Sequence, residues 1–288
     1  MHGSPFTDIR VSTSLLAKAL LYVSRQSWCE SVSASDLIAN VPGIGRTQAQ
    51  HILDSLRWAE SKTAQKRQQG IVLSHEIEGD ATGVRSIVIK RDNPNFAAQV
   101  QAYEKKTKKQ EDYYRIWIRV LGLCERRTSK LIISPIADKV VSLNAKPPPE
   151  SNPEVQGSGL LDNIRQPARV FSDGAQAWPS SLRRKGLRGA SVSHQAKQFT
   201  KQVRAAHGLP GLSTLAGTQC IDRRWGVLVN SYIPISLHGK ERKEDGSSEV
   251  NTNLYTYCWS LALRYNLSPV GRANLWRSLG QAVRECSK

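Results

Sequence analysis

Two short segments constrain this chain more than any other part of it: Val170-Phe-Ser-Asp-Gly-Ala-Gln-Ala-Trp178 and Gly217-Thr-Gln-Cys-Ile-Asp-Arg-Arg-Trp225. In the first, the apolar run Ala168 to Phe171 predicts a buried strand that carries Asp173 to its C-terminal tip, where Gly174 turns the chain into a helix. In the second, Ile221, Trp225 and Leu228 recur at helical spacing with Asp222 beside the stripe. A carboxylate at a strand tip and another on a following helix can meet over a sheet edge. That is a way to hold a divalent metal, and it points to a metal-dependent enzyme acting on nucleic acid.

The charge balance agrees. Forty-one Lys and Arg against 24 Asp and Glu leave a formal net charge of +17 on 288 residues, while 39% hydrophobic and 23% charged content are ordinary for a globular protein. An excess of this size suggests a polyanion, because each neutralised phosphate releases condensed counterions. The five cysteines (Cys29, Cys124, Cys220, Cys258, Cys286) are scattered and odd in number, with no pair at zinc-ligand spacing, which argues against a structural zinc or a disulfide framework. The start, Met1-His-Gly-Ser-Pro, lacks a signal-peptide core, and the longest apolar stretch, Leu15 to Val23, contains Lys18 and is too short to span a bilayer. These features predict a soluble intracellular protein, in the nucleus of a eukaryote or the cytoplasm and nucleoid of a bacterium, with no membrane partner.

Residues 1–68 predict an all-helical module. Leu15, Leu16, Ala19, Leu20 and Val23 repeat at helical spacing; Ser33 or Ser35 caps a second helix; and a third runs from Thr47 through Ile52, Leu53, Leu56 and Trp58 after the turn Val41-Pro-Gly-Ile-Gly-Arg46. Helix, glycine turn, helix is a helix-turn-helix outline. Arg46, Gln48, Gln50, His51 and Arg57 would lie on its exposed side, where Gln suits adenine and Arg suits guanine or phosphate. The same residues fit a helix-hairpin-helix that offers backbone amides to a phosphate, or a plain three-helix support.

Lys62 to Gly70 is polar and basic and is read as a linker. Residues 69–238 then alternate between strand and helix signals. Ile71 to Ile77 and Val84 to Ile89 are strand-like around a turn at Gly79 to Gly83, and Tyr113 to Leu123 alternates as a third strand. The lysine run around Glu104 to Lys109 is a solvated loop or helix face. Pro147-Pro-Pro-Glu150 marks a loop and a helix start, Leu160 to Ile164 a helix, and Leu187 to Ser193 a strand ending at His194. Three strands, a helix, then strand-helix-strand-helix predicts an α/β fold with a ribonuclease-H-like mixed sheet and flanking helices. Residues 239–288 comprise a polar loop (Gly239 to Asn253), an amphipathic helix (Leu254 to Tyr265) and a short terminal helix (Ala273 to Glu285).

In that fold the first strand must supply a third carboxylate, from Glu76, Glu78 or Asp80. Three such acids would hold magnesium or manganese, and two ions about 3.5–4 Å apart can activate an attacking oxygen and stabilise a leaving one at a phosphodiester. Each acid alone has a plainer reading. Ser-Asp-Gly is more often a turn, and Asp222-Arg223 is equally a surface ion pair or an N-terminal helix charge.

Taken together these stretches resemble DDE/D transposases of the bacterial insertion-sequence type related to eukaryotic Merlin elements. The resemblance rests on Asp80-Ala-Thr82, on Asp173-Gly174 with Trp178, on Val192-Ser-His194, on Gly217 to Val229, and on Tyr257, Arg264, Tyr265 and Asn266. It implies that Asp80, rather than Glu78, joins Asp173 and Asp222 as catalytic metal ligands, with His194 assisting at the scissile phosphate. It further implies double-stranded DNA partners, both element ends and target, with Arg183, Arg184, Lys185, Lys197, Lys201, Arg223 and Arg224 on phosphates. A homodimer or larger assembly on DNA is implied as well. The departures are Gly217 for the family's His, Gln219 for Asn, Asp222 for Glu, Val229 for Lys, Ser260 for a second Glu, and the lack of a zinc ribbon. Gln219, one turn before Asp222, would face the same site. These departures admit a second expectation, a domesticated DNA-binding derivative without turnover.

Overall fold

One strand decides the architecture. The computed structural model describes residues 11–26, 31–192, 198–204, 213–242, 248–267 and positions 277, 280 and 281. In it, Leu73–Lys90 forms a single 18-residue strand, β1, where the sequence predicts two strands and a turn. β1 pairs antiparallel with β2 (Tyr113–Glu125) without interruption from Ile77↔Glu125 to Gly83↔Arg119, and shifts register only between Gly83 and Arg85. The glycines that suggest a turn instead make room for rings. A Cβ at Gly79 would stand 2.6 Å from the Trp178 ring, and one at Gly83 would stand 2.9 Å from Pro147 and Trp117.

β3 (Leu131–Ser142) pairs antiparallel with β2. β4 (Ile164–Ser172) and β5 (Arg188–Ser191) add in parallel on the other side of β1, so the sheet order is β3-β2-β1-β4-β5. The parallel steps need crossovers. α5 (Asn152–Gly157) lies between β3 and β4, and α6 (Ala177–Arg184) between β4 and β5. One sheet face packs Ile77, Leu121, Leu123 and Val170 against Trp178 and Leu182 of α6. The opposite face packs Val120 and Cys124 against α7 (Gln219–Val227) and α8 (Asn253–Leu267), through Ile221, Trp225, Leu261 and Tyr265. α4 (Ala97–Thr107) takes Lys105 and Lys106 of the lysine run into its last turn, and Lys108 caps it. Small antiparallel pairs join β6 (Lys201–Arg204) to β7 (Ser213–Ala216) and β8 (Lys240–Arg242) to β9 (Ser248–Val250). The second pair lies within the segment expected to be a polar loop. The predicted terminal helix at 273–285 lies almost wholly outside the described residues.

The N-terminal helices α1 (Thr13–Arg25), α2 (Ala34–Asn40) and α3 (Arg46–Gln68) share a core of Ala19, Val23, Leu37, Ile52, Leu53 and Leu56. Ser12 caps α1, and Ser33 and Asp36 form a capping box on α2. The expected linker is absent, because α3 continues through Lys62 to Gln68. Its second half is held against α8. Buried Glu60 pairs with Arg264 at 2.9 Å and accepts a hydrogen bond from Ser260, whose hydroxyl also meets Tyr232 at 2.5 Å. Asn266 brackets Leu131 through both its N–H and its carbonyl, at 2.7 Å each. Among the described residues no helix is long and apolar enough to cross a membrane.

Candidate metal centre

β1 and β4 run parallel in the register Ile77↔Val170 and Glu78↔Phe171. Two residues beyond the last of these pairs stand Asp80, still within β1, and Asp173, just past the end of β4, so the ladder delivers both carboxylates to the same end of the β1–β4 seam. Asp80 lies mid-strand rather than at a strand tip, opposite Gly122 of β2. Asp173 follows the end of β4, where its Oδ1 accepts from Ala175 N at 3.1 Å and shapes the turn into α6. A third carboxylate joins them from a position that sequence reasoning missed. Glu150, 8% exposed, comes from the loop before α5, and the indole N–H of fully buried Trp178 donates to its Oε1. One ligand oxygen from each of Asp80, Glu150 and Asp173 lies within 4.8 Å of the others.

Electrostatics mark the cluster as costly without a cation. Burial, followed by the charges of Asp173, Glu150 and Asp222, holds the Asp80 carboxyl well above the usual carboxylate range, and the Ala81 N–H offsets this only in part. Burial also raises Glu150, with Asp173 adding to the shift; its own backbone N–H, the Trp178 indole and the Arg119 charge oppose it. The donor set fits a hard divalent ion. All three ligands are carboxylate oxygens, the donor type such ions prefer, and they converge from three separate segments of the chain.

The α7 side of the centre is built differently. Asp222 is close enough for its charge to raise Asp80, yet its oxygens are not among those that converge. It is exposed, and its Oδ2 accepts from Thr218 Oγ1 at 3.0 Å. Glu78, the alternate first acid, is committed elsewhere. It is 1% exposed, pairs with Arg126 Nε at 2.6 Å, and accepts from Ile221 N at 2.9 Å, capping the first turn of α7. Arg126 also stacks on Phe171 and donates to the Gly217 and Leu215 carbonyls. Gln219 does not turn to the acids either; its Nε2 donates to Phe199 O at 2.8 Å. Trp225 closes the arrangement by lying over Gly122, where a Cβ would stand 2.6 Å from its ring.

The expected DNA contacts divide in the same way. Arg46 and His51 are exposed on α3. Arg57 is not on the exposed side. It is 7% exposed, bonded to Asp54 and the Val32 carbonyl, and stacked 4.5 Å from the Tyr257 ring centroid, whereas its neighbour Trp58 is 45% exposed. Gln48 accepts from Gly45 N at the start of α3, and Gln50 donates to both Asp54 oxygens at 2.9 Å. Arg183, Arg184 and Lys185 are exposed at the end of α6, with Arg184 on Gln156 and Lys185 on Asp162. Lys201 and Arg223 are exposed, whereas Arg224 folds back over the Tyr265 ring at 4.3 Å. His194 and Lys197 lie outside the described residues. Comparison with protein-family models, curated proteins and solved structures finds no match to this chain.

Proposed function

We propose that the chain is a metal-dependent DNA transposase that cuts and joins phosphodiesters at element ends. The observation that carries this reading is the convergence of Asp80, Glu150 and Asp173 by the C-terminal end of parallel strand β4, with Asp222 on α7 near enough for its charge to act on Asp80, in a strongly basic protein. The strand order β3-β2-β1-β4-β5 with antiparallel β2 is compatible with a ribonuclease-H-like core.

Asp80, Glu150 and Asp173 would hold magnesium or manganese, with Asp222 completing a second position if two ions bind. When bound, the metal supplies activation of the attacking oxygen and charge stabilisation at the phosphodiester. The protein's part is to hold three carboxyl groups beside one another, ready to take a cation, and to fix their spacing. The Trp178 indole orients Glu150, and Glu78 fixes the helix that carries Asp222. The exposed cations Arg183, Arg223 and Lys201 would meet backbone phosphate, and Arg46 and His51 would meet DNA from α3.

A second reading is a transposase-derived DNA-binding protein without turnover. It is favoured by the one acid left outside the convergent set, Asp222, and by the interior roles of Arg57 and Arg224. The test uses the full chain with magnesium or manganese and a duplex carrying the sequences that flank its gene. Metal-dependent nicking and strand joining that vanish in Asp173→Asn support the enzyme. Duplex binding with no cleavage in either protein supports the second reading, and cleavage undiminished in Asp173→Asn removes the first.

A further inference from the structure

We propose that Cys124 and Cys220 form a reversible disulfide that staples the first turn of α7 to β2 under oxidising conditions. The two sulfurs stand 3.4 Å apart, 96 residues apart in sequence. A disulfide needs about 2.05 Å, so roughly 1.4 Å of approach closes the bond, a distance that side-chain rotation and a small settling of the helix can supply. Cys124 is fully buried in a central strand and cannot travel, whereas Cys220 is half-buried at the start of a helix and can be reached from solvent. Cys258, the third described cysteine, is buried in α8 with its thiol donating to the Leu254 carbonyl.

The reaction balances with a peroxide as oxidant. The Cys220 sulfur attacks the O–O bond, gaining an oxygen as sulfenic acid and releasing water. The Cys124 thiol then attacks that sulfur, the S–O bond breaks, and a second water leaves as the S–S bond forms. Two thiols are oxidised, one peroxide is reduced, and a dithiol reductant reverses the step by exchange. Burial of Cys124 beside its partner favours the crosslink over further oxidation of Cys220, because the resolving thiol is already in contact.

The position gives the bond a consequence. Glu78 already caps this turn through Ile221 N, and Asp222 lies two residues beyond Cys220. A covalent link would fix the turn to the sheet and with it the reach of Asp222 toward Asp80. The bond itself does not depend on whether the acids bind metal.

The test treats the full chain with hydrogen peroxide, blocks free thiols, and maps peptides by mass spectrometry without reduction. The expected result is one major crosslinked peptide joining Cys124 to Cys220, a mass loss equal to two hydrogens, full reversal by dithiothreitol, and slower amide exchange across 219–222 in the oxidised form. Oxidation of Cys220 to sulfinic acid without a crosslink, or pairing of either cysteine with Cys29, Cys258 or Cys286 instead, would overturn it. The unmutated protein gives the answer directly, and Cys220→Ser should lose the crosslink while keeping the other thiols' reactivity.

Discussion

The two sides of the acidic centre are held by different means. Asp80 is held within β1 and Asp173 follows directly on β4, just beyond the parallel ladder that joins the two strands, with Glu150 pinned by a buried indole. Asp222 is placed by a nine-residue helix that packs on the sheet through side chains alone: Ile221 and Trp225 in the core, Glu78 on Ile221 N, and Cys220 against Cys124. A strand pair in a five-stranded sheet opens only with the whole core, whereas a single short helix packed on the sheet's face can shift at lower cost. The strand side therefore sets the geometry, and the helix side can adjust it.

The largest effect that separates the two sides should appear in catalysis. Asp80→Asn should lower metal-dependent cleavage more than about 100-fold, beyond the 10–100-fold typical of losing a group outside the ligand set. Asp222→Asn should lose less under saturating metal. Equal losses in a single-turnover assay would erase the distinction. Next, Glu78→Gln should destabilise the protein by about 1–3 kcal/mol in urea unfolding, since it leaves Arg126 without its closest carboxylate. It should also speed amide exchange in α7 ahead of β1 and β4. Uniform loss of protection would mean that α7 is no looser than the sheet.

The smallest effect is in pH. Asp80 and Glu150 have folded-state values raised above their unfolded ones, so the folded state holds protons that the unfolded state has released. Their contribution is full below the ordinary carboxylate range and is lost as pH rises through the raised values. In metal-free buffer, lowering the pH from 7 toward 5 should thus raise Tm by a few degrees, and Asp80→Asn should flatten that slope. Adding magnesium at about 100 times its Kd should contribute about 2.7 kcal/mol at pH 7 in the wild type alone. A Tm that falls steadily over the same pH range in metal-free wild type would contradict the electrostatic account.

Much of this arrangement was legible in sequence. The apolar run before Asp173 and the Ile221-Trp225-Leu228 stripe predicted the elements that carry two of the acids, and the alternation around Ile116 to Val120 predicted β2. What misled were residues with two uses. Gly79 and Gly83 look like a turn and instead admit aromatic rings, so β1 is one strand and Asp80 lies inside it. The polar run at Lys62 looks like a linker, but one face of it packs on α8. Glu150 was invisible because its role depends on Trp178, which is 28 residues away and meets it only after α5 and α6 have packed. Arg57 is buried rather than exposed because a guanidinium with Asp54, the Val32 carbonyl and the Tyr257 ring around it tolerates burial.

On the proposed reading Asp80, Glu150 and Asp173 form one cation site. Manganese binding to the metal-free full chain, followed by electron paramagnetic resonance, tests it most directly when wild type is compared with Glu150→Gln and Asp222→Asn. The account predicts saturable binding that weakens at least about 10-fold in Glu150→Gln and less in Asp222→Asn. Wild-type affinity in Glu150→Gln, or no saturable binding in the wild type, would contradict it.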